Sequence, residues 1–160
     1  LEKNRNNTNN ISIEEDIMAN WSEHHDLVYA FVCVSFLADG EVDEAEKDAM
    51  RGNVKFMLPS ISDDEYNSIE AEVIDKFIEL GGDSERMGQY GTSLESVKGM
   101  FTSDEDRFKV IKNLAYIARA DEFIHENEMA MVEEAAETLD MADKINLVKT
   151  DSTLFVDLKH

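Results

Sequence analysis

The longest apolar stretch of the chain runs from Leu27 to Ala38, broken only by Ser35. It is bounded by His24, His25 and Asp26 on one side and Asp39 on the other, so it falls short of the roughly 20 apolar residues of a membrane span. An apolar surface on every face predicts a central helix covered by its neighbours. Upstream, residues 1–11 are polar and Asn-rich and predict an unstructured tail. Ser12-Ile13-Glu14-Glu15 fits a capping box opening a short helix to about Trp21, and Ser22 is placed to cap the central helix.

Downstream, the pattern turns amphipathic. A helix is expected from Asp43 to about Leu58, closed by Pro59. Ser62-Asp63-Asp64-Glu65 is another capping box, and Tyr66, Ile69, Val73, Phe77 and Leu80 then recur at the spacing of one helical face. Gly81-Gly82 stops that helix. Met87, Tyr90, Leu94, Val97 and Phe101 form a weaker stripe, interrupted by Gly88 and Gly91. Thr102-Ser103-Asp104-Glu105 caps a helix with Phe108, Ile111, Leu114, Ala115 and Ala118 inside, and a further helix runs from about His125 to Leu139. A short helix is expected over 142–148, and Leu154-Phe155-Val156 is suited to docking as an extended segment.

The two ends of this pattern repeat. With an offset of 82, Ala38, Asp39, Val42, Glu44 and Glu46 meet Ala120, Asp121, Ile124, Glu126 and Glu128. Val28, Val32, Cys33, Met50, Val54 and Met57 likewise meet Val110, Leu114, Ala115, Val132, Ala136 and Leu139. Each half reads as helix, acidic corner, helix. The expected fold is therefore all-α: a bundle of about seven to eight helices built from two pseudo-twofold related repeats. A single domain over 12–150 is expected, with 151–160 as a C-terminal tail able to dock.

Composition changes the picture chiefly through charge. Thirty-six Asp and Glu against 15 Lys and Arg give a net charge of −21. Such a surface repels phosphate backbones, which argues against nucleic acid as a ligand, and attracts divalent cations or a basic protein. The same charge also serves plain solubility. The lone Cys33 has no intramolecular partner and sits in Val32-Cys33-Val34 as a small buried hydrophobe. No basic start followed by an apolar segment and a cleavage site is visible, although Leu1 is not an initiator Met, so a cytoplasmic protein is the expectation.

The acidic corners carry the candidate chemistry. Asp39 and Asp121 fall where a helix ends, beside carbonyls of partial negative charge, at a cost of about 0.3–1 kcal/mol each. Glu46 and Glu128 fall in the first turn of the next helix, which favours them. A divalent cation (Ca²⁺, Mg²⁺ or Zn²⁺) between the two carboxylates would relieve the first, and hard cations favour such oxygen ligands. These are not EF-hand loops: the twelfth residue from Asp39 is Met50 and from Asp121 is Val132, where a bidentate Glu is needed. A purely architectural reading stands beside this one. Asp43-Glu44-Ala45-Glu46 is itself a capping box, and Asp39-Gly40 an ordinary turn former.

Ala38-Asp39-Gly40-Glu41-Val42-Asp43-Glu44-Ala45-Glu46, and more weakly Ala118 to Glu128, resemble the tellurite-resistance TerB-like family, which includes the N-terminal region of certain membrane-anchored DnaJ-like proteins. The resemblance covers about Asp26 to Met141. It implies an all-α fold whose acidic residues bind divalent metal, in bacterial stress-response systems at the inner face of the membrane. Asp39, Glu46, Asp121 and Glu128 match the family's acidic positions. The second copy departs from Asp-Gly, with Glu122 where Gly is usual and His125 at the cap. The functional expectation is a non-enzymatic stress-response module with protein partners that binds divalent metal at these corners; the alternative is an acidic protein-interaction module without metal.

Other chemistry is thinner. Glu122-Phe123-Ile124-His125 fits the Glu-x-x-His element of ferritin-like di-iron bundles, but the second such element those sites require is missing. A Cys-His nucleophile pair would need an exposed Cys33. His24-His25 is read as solvated rather than as a ligand pair. Trp21 and the Met residues at 50, 57, 100, 129, 131 and 141 are read as core, with a Met-rich groove for a partner helix as the other option.

Overall fold

A computed structural model describes residues 20–39, 44–118, 126–150 and 154–159. Six helices lie among them: α1 (Glu23–Asp39), α2 (Glu44–Met57), α3 (Asp63–Leu80), α4 (Asp83–Met100), α5 (Asp104–Ala118) and α6 (Glu126–Thr138). Two strands follow, β1 (Ile145–Lys149) and β2 (Leu154–Leu158). The expected helix over 12–21 lies outside the described residues except for its end, where Asn20 is helical.

Helix α1 is the axis of the molecule, as its all-round apolar pattern requires. Every residue from Leu27 to Val34 is buried, and α1 packs against all five other described helices. The amphipathic helices turn their stripes toward it: Tyr66, Ile69, Val73 and Phe77 from α3, and Tyr90, Leu94 and Val97 from α4. Gly88 and Gly91 do not break α4, which runs unbroken through both. The aligned positions Val28, Val32, Cys33, Met50 and Val54 of the first half and Val110, Leu114, Ala115, Val132 and Ala136 of the second are all buried in one core.

Helix ends follow local chemistry. Ser62 accepts a hydrogen bond from the Glu65 N–H at 3.1 Å, as its capping box predicts. For α5 the cap is Ser103 rather than Thr102, its Oγ accepting the Asp106 N–H. Helix α6 ends in a Schellman turn. There the Met141 N–H reaches the Ala136 carbonyl at 2.8 Å, and Asp140 takes a positive φ of 58°. Arg107 gathers the free carbonyls of Lys98, Phe101 and Leu139, joining the C-terminal ends of α4 and α6.

The C-terminal region corrects one expectation. The short helix over 142–148 is not formed; Ile145–Lys149 pairs antiparallel with Leu154–Leu158, Ile145 opposite Leu158 and Lys149 opposite Leu154. Ile145 and Leu147 alternate with polar Asn146, a period of two rather than 3.6, and pairing satisfies backbone groups that a single helical turn would leave open. Leu154 and Val156 are buried, and β2 packs on α5. The segment therefore docks in extended form as a strand of a hairpin on an otherwise all-α body.

Candidate functional site

Of the four acidic residues singled out by sequence, Glu46 and Glu128 have described side chains. Each is the third residue of its helix, α2 and α6 respectively. Both are buried, at 8% and 1% relative exposure. The repeat therefore places two carboxylates at one register, in the first turn of two helices, where the dipole stabilises negative charge. Asp39 is the last residue of α1, at the disfavoured end. Asp121, with the rest of both corners (residues 40–43 and 119–125), lies outside the described residues.

Glu46 is tied to the central helix. The Ser35 hydroxyl, itself buried, donates to Glu46 Oε2 at 2.9 Å. Ser35 is the one polar residue in the apolar run, and this bond accounts for it: a hydroxyl inside a core needs a partner. Taking a carboxylate out of water costs several kcal/mol unless hydrogen bonds or an opposite charge offset it, so charge-assisted bonds of this kind matter. A carboxylate that only capped its own helix would not need to be turned into the core. Among the described residues, no group of three or more His, Cys, Asp or Glu side chains is placed to hold a metal ion.

A second polar cluster went unread in the sequence. His25, expected to be solvated, is buried. Its Nδ1 accepts the Ser22 backbone N–H at 2.9 Å, which assigns the proton to Nε2 in the neutral ring. Nε2 then donates to Glu72 Oε2 at 2.5 Å, linking α1 to α3. Beside it, Asp26 Oδ1 accepts from Trp21 Nε1 and from the Ser93 hydroxyl, each at 2.9 Å, linking α1 to α4. These partners are 47 and 67 residues distant in sequence, so spacing carries no signal for them. The cluster joins α1 to α3 and α4.

The remaining candidates resolve as packing or fall outside. Burial pushes the Cys33 thiol up to about 12, which removes it as a thiolate nucleophile at neutral pH. Arg86 stacks over Phe77 at 4.1 Å and donates Nε–H to the Phe77 carbonyl, while its own carbonyl accepts the Tyr29 hydroxyl. Met50, Met131 and Met141 are core. Glu122 and His125 of the Glu-x-x-His element lie outside the described residues.

Residues 25–145 match the family model of the tellurite resistance protein TerB. The chain belongs to the TerB family. The match begins inside α1 and ends at the first residue of β1, so it takes in all of α2 to α6 and both acidic corners. Strand β2 lies beyond it. Comparison with curated proteins and with solved structures returned no match.

Proposed function

We propose that this TerB-family chain is a non-enzymatic, cytoplasmic stress-response module that takes a divalent cation at each acidic corner. The ligands are Asp39 with Glu46 and Asp121 with Glu128. The observation that carries the reading is the duplicated, buried glutamate at the third position of α2 and α6. Two carboxylates at one register, each seven residues behind an aspartate in the sequence, would make a hard oxygen donor set. Such a set suits Ca²⁺ or Mg²⁺ better than the softer preferences of Zn²⁺. The cation would supply charge neutralisation and join the two helices of each half, and the halves themselves would be related by a pseudo-twofold axis. Work with partner proteins at a membrane-associated complex is part of the same proposal and draws on the family alone.

Calorimetric titration of the chain with Ca²⁺, Mg²⁺ and Zn²⁺ tests it. Binding heat is expected, with about tenfold weaker affinity (about 1.4 kcal/mol) in Asp39→Asn and Asp121→Asn. No heat, or heat unchanged in both variants, overturns it. A second reading is an acidic protein-interaction module without metal. It is favoured by the −21 net charge and by the lack of a three-ligand group among the described residues. It predicts salt-sensitive capture of a basic partner that ignores chelator.

A further inference from the structure

An open, largely apolar groove of about 610 Å³ lies between α2 and α5, with the end of β2 at its edge and neither corner glutamate lining it. Three of the exposed large hydrophobic residues meet there: Phe56 is 65% exposed, Tyr116 55% and Leu158 42%. Phe108 adds a third ring. Phe108, Lys112 and Tyr116 follow one another every four residues along α5, beside the face that buries Ile111, Leu114 and Ala115; Phe108, expected inside, is half-buried at the edge of the core. Exposed aromatic rings that meet in one groove, rather than being scattered singly, make it a candidate contact surface.

The charge of the groove is opposite to that of the molecule. Lys109 and Lys112 stand in it against one lining carboxylate, Glu105. Lys109 is held by Glu105 at 3.6 Å and by Asp106 at 3.9 Å, and lies 5.8 Å from the Phe56 ring centroid. Lys112 has no carboxylate partner among the described residues; its ammonium lies 5.8 Å from the Phe108 ring centroid. It also lines the adjoining cavity of about 190 Å³ against β2. In a chain with more than two acids per base, an exposed lysine among aromatic rings is a local site for a carboxylate.

We propose that this groove docks a short segment of a partner protein that presents apolar side chains together with an aspartate or glutamate. The apolar side chains would lie on Phe56, Phe108 and Tyr116, and the carboxylate would pair with Lys112. With Phe56 and Tyr116 more than half exposed, the groove is too open to enclose a small molecule, which a ligand pocket buries by about 70–90%. A segment laid along α5 covers them. This site is independent of the cation reading, since neither corner glutamate lines it.

The test is NMR titration of the ¹⁵N-labelled chain with a synthetic peptide of Leu-Glu-Glu-Leu repeats. Physiological salt is used, where a screening length of about 8 Å mutes the remote carboxylates. Saturable shifts are expected at the amides of Phe56, Lys112, Asn113 and Tyr116. A Leu-Lys-Lys-Leu control should leave these amides in place. Lys112→Glu and Phe56→Ser, both at exposed positions, should melt like the parent and weaken the apparent affinity by about fivefold or more. The proposal is overturned by unmoved groove amides, by equal shifts with the lysine peptide, or by an unchanged affinity in Lys112→Glu. Shifts of the same amides on diluting the chain alone would overturn it in favour of a second copy as the occupant.

Discussion

At the residue scale the decisive pair is Ser35 and Glu46, 11 residues apart in sequence and 2.9 Å apart in the fold. Either residue alone reads as ordinary: a serine tolerated in a helix, a glutamate in a first turn. Together they define a carboxylate held inside the core by the central helix. Ser35→Ala is expected to cost about 1–3 kcal/mol, because a charged acceptor loses a buried donor. In a Glu46→Gln background the same serine change should cost only about 1 kcal/mol, the ordinary worth of a neutral hydrogen bond. Urea denaturation of the four chains measures the difference, and equal costs in both backgrounds would show that the charge is not engaged. The Ser62 cap was legible because its partner lies three residues away. The burial of His25 was not, because Glu72 and the helix that carries it arrive from 47 residues downstream.

At the element scale, the helices were readable wherever period and stop signals agreed. Gly81 ends α3 with a φ of 73°, a conformation that costs a side chain. Gly52 sits within α2 with nothing near an added Cβ. Gly81→Ala is therefore expected to destabilise by about 1 kcal/mol, and Gly52→Ala to stabilise by about 0.5–1 kcal/mol. Thermal melts of the two variants check this, and shifts of the same sign would contradict it. The hairpin was half legible. Docking of Leu154-Phe155-Val156 in extended form is expected from the sequence, whereas 142–148 reads as a short helix because a short apolar run carries no length to separate the two periods. Its partner strand decided the matter.

At the scale of the whole molecule, the repeat and the charge say different things. Burial of the equivalent apolar positions in one core shows why both halves keep the same apolar pattern. A core alone would not require glutamates at the third position of α2 and α6, or aspartates before them. The TerB family match spans both halves, so the duplicated corners are part of the family's own extent. The acidic corners stand out in the sequence as a repeated spacing. The burial of Glu46 and Glu128 does not, because it depends on how α2 and α6 lean on the rest of the bundle. The groove on α5 was invisible for a similar reason: Phe56, Lys112 and Leu158 come from three elements and share no local pattern.

Under the proposed function the two corners are cation sites of the same kind. The most direct measurement is NMR titration of the labelled chain with Ca²⁺ and Mg²⁺, following the amides of 39–46 and 121–128. Both sets are expected to shift saturably, and Glu46→Gln to silence the first set while leaving the second responsive. Shifts spread evenly over the acidic surface, or no shift at either corner, would contradict it.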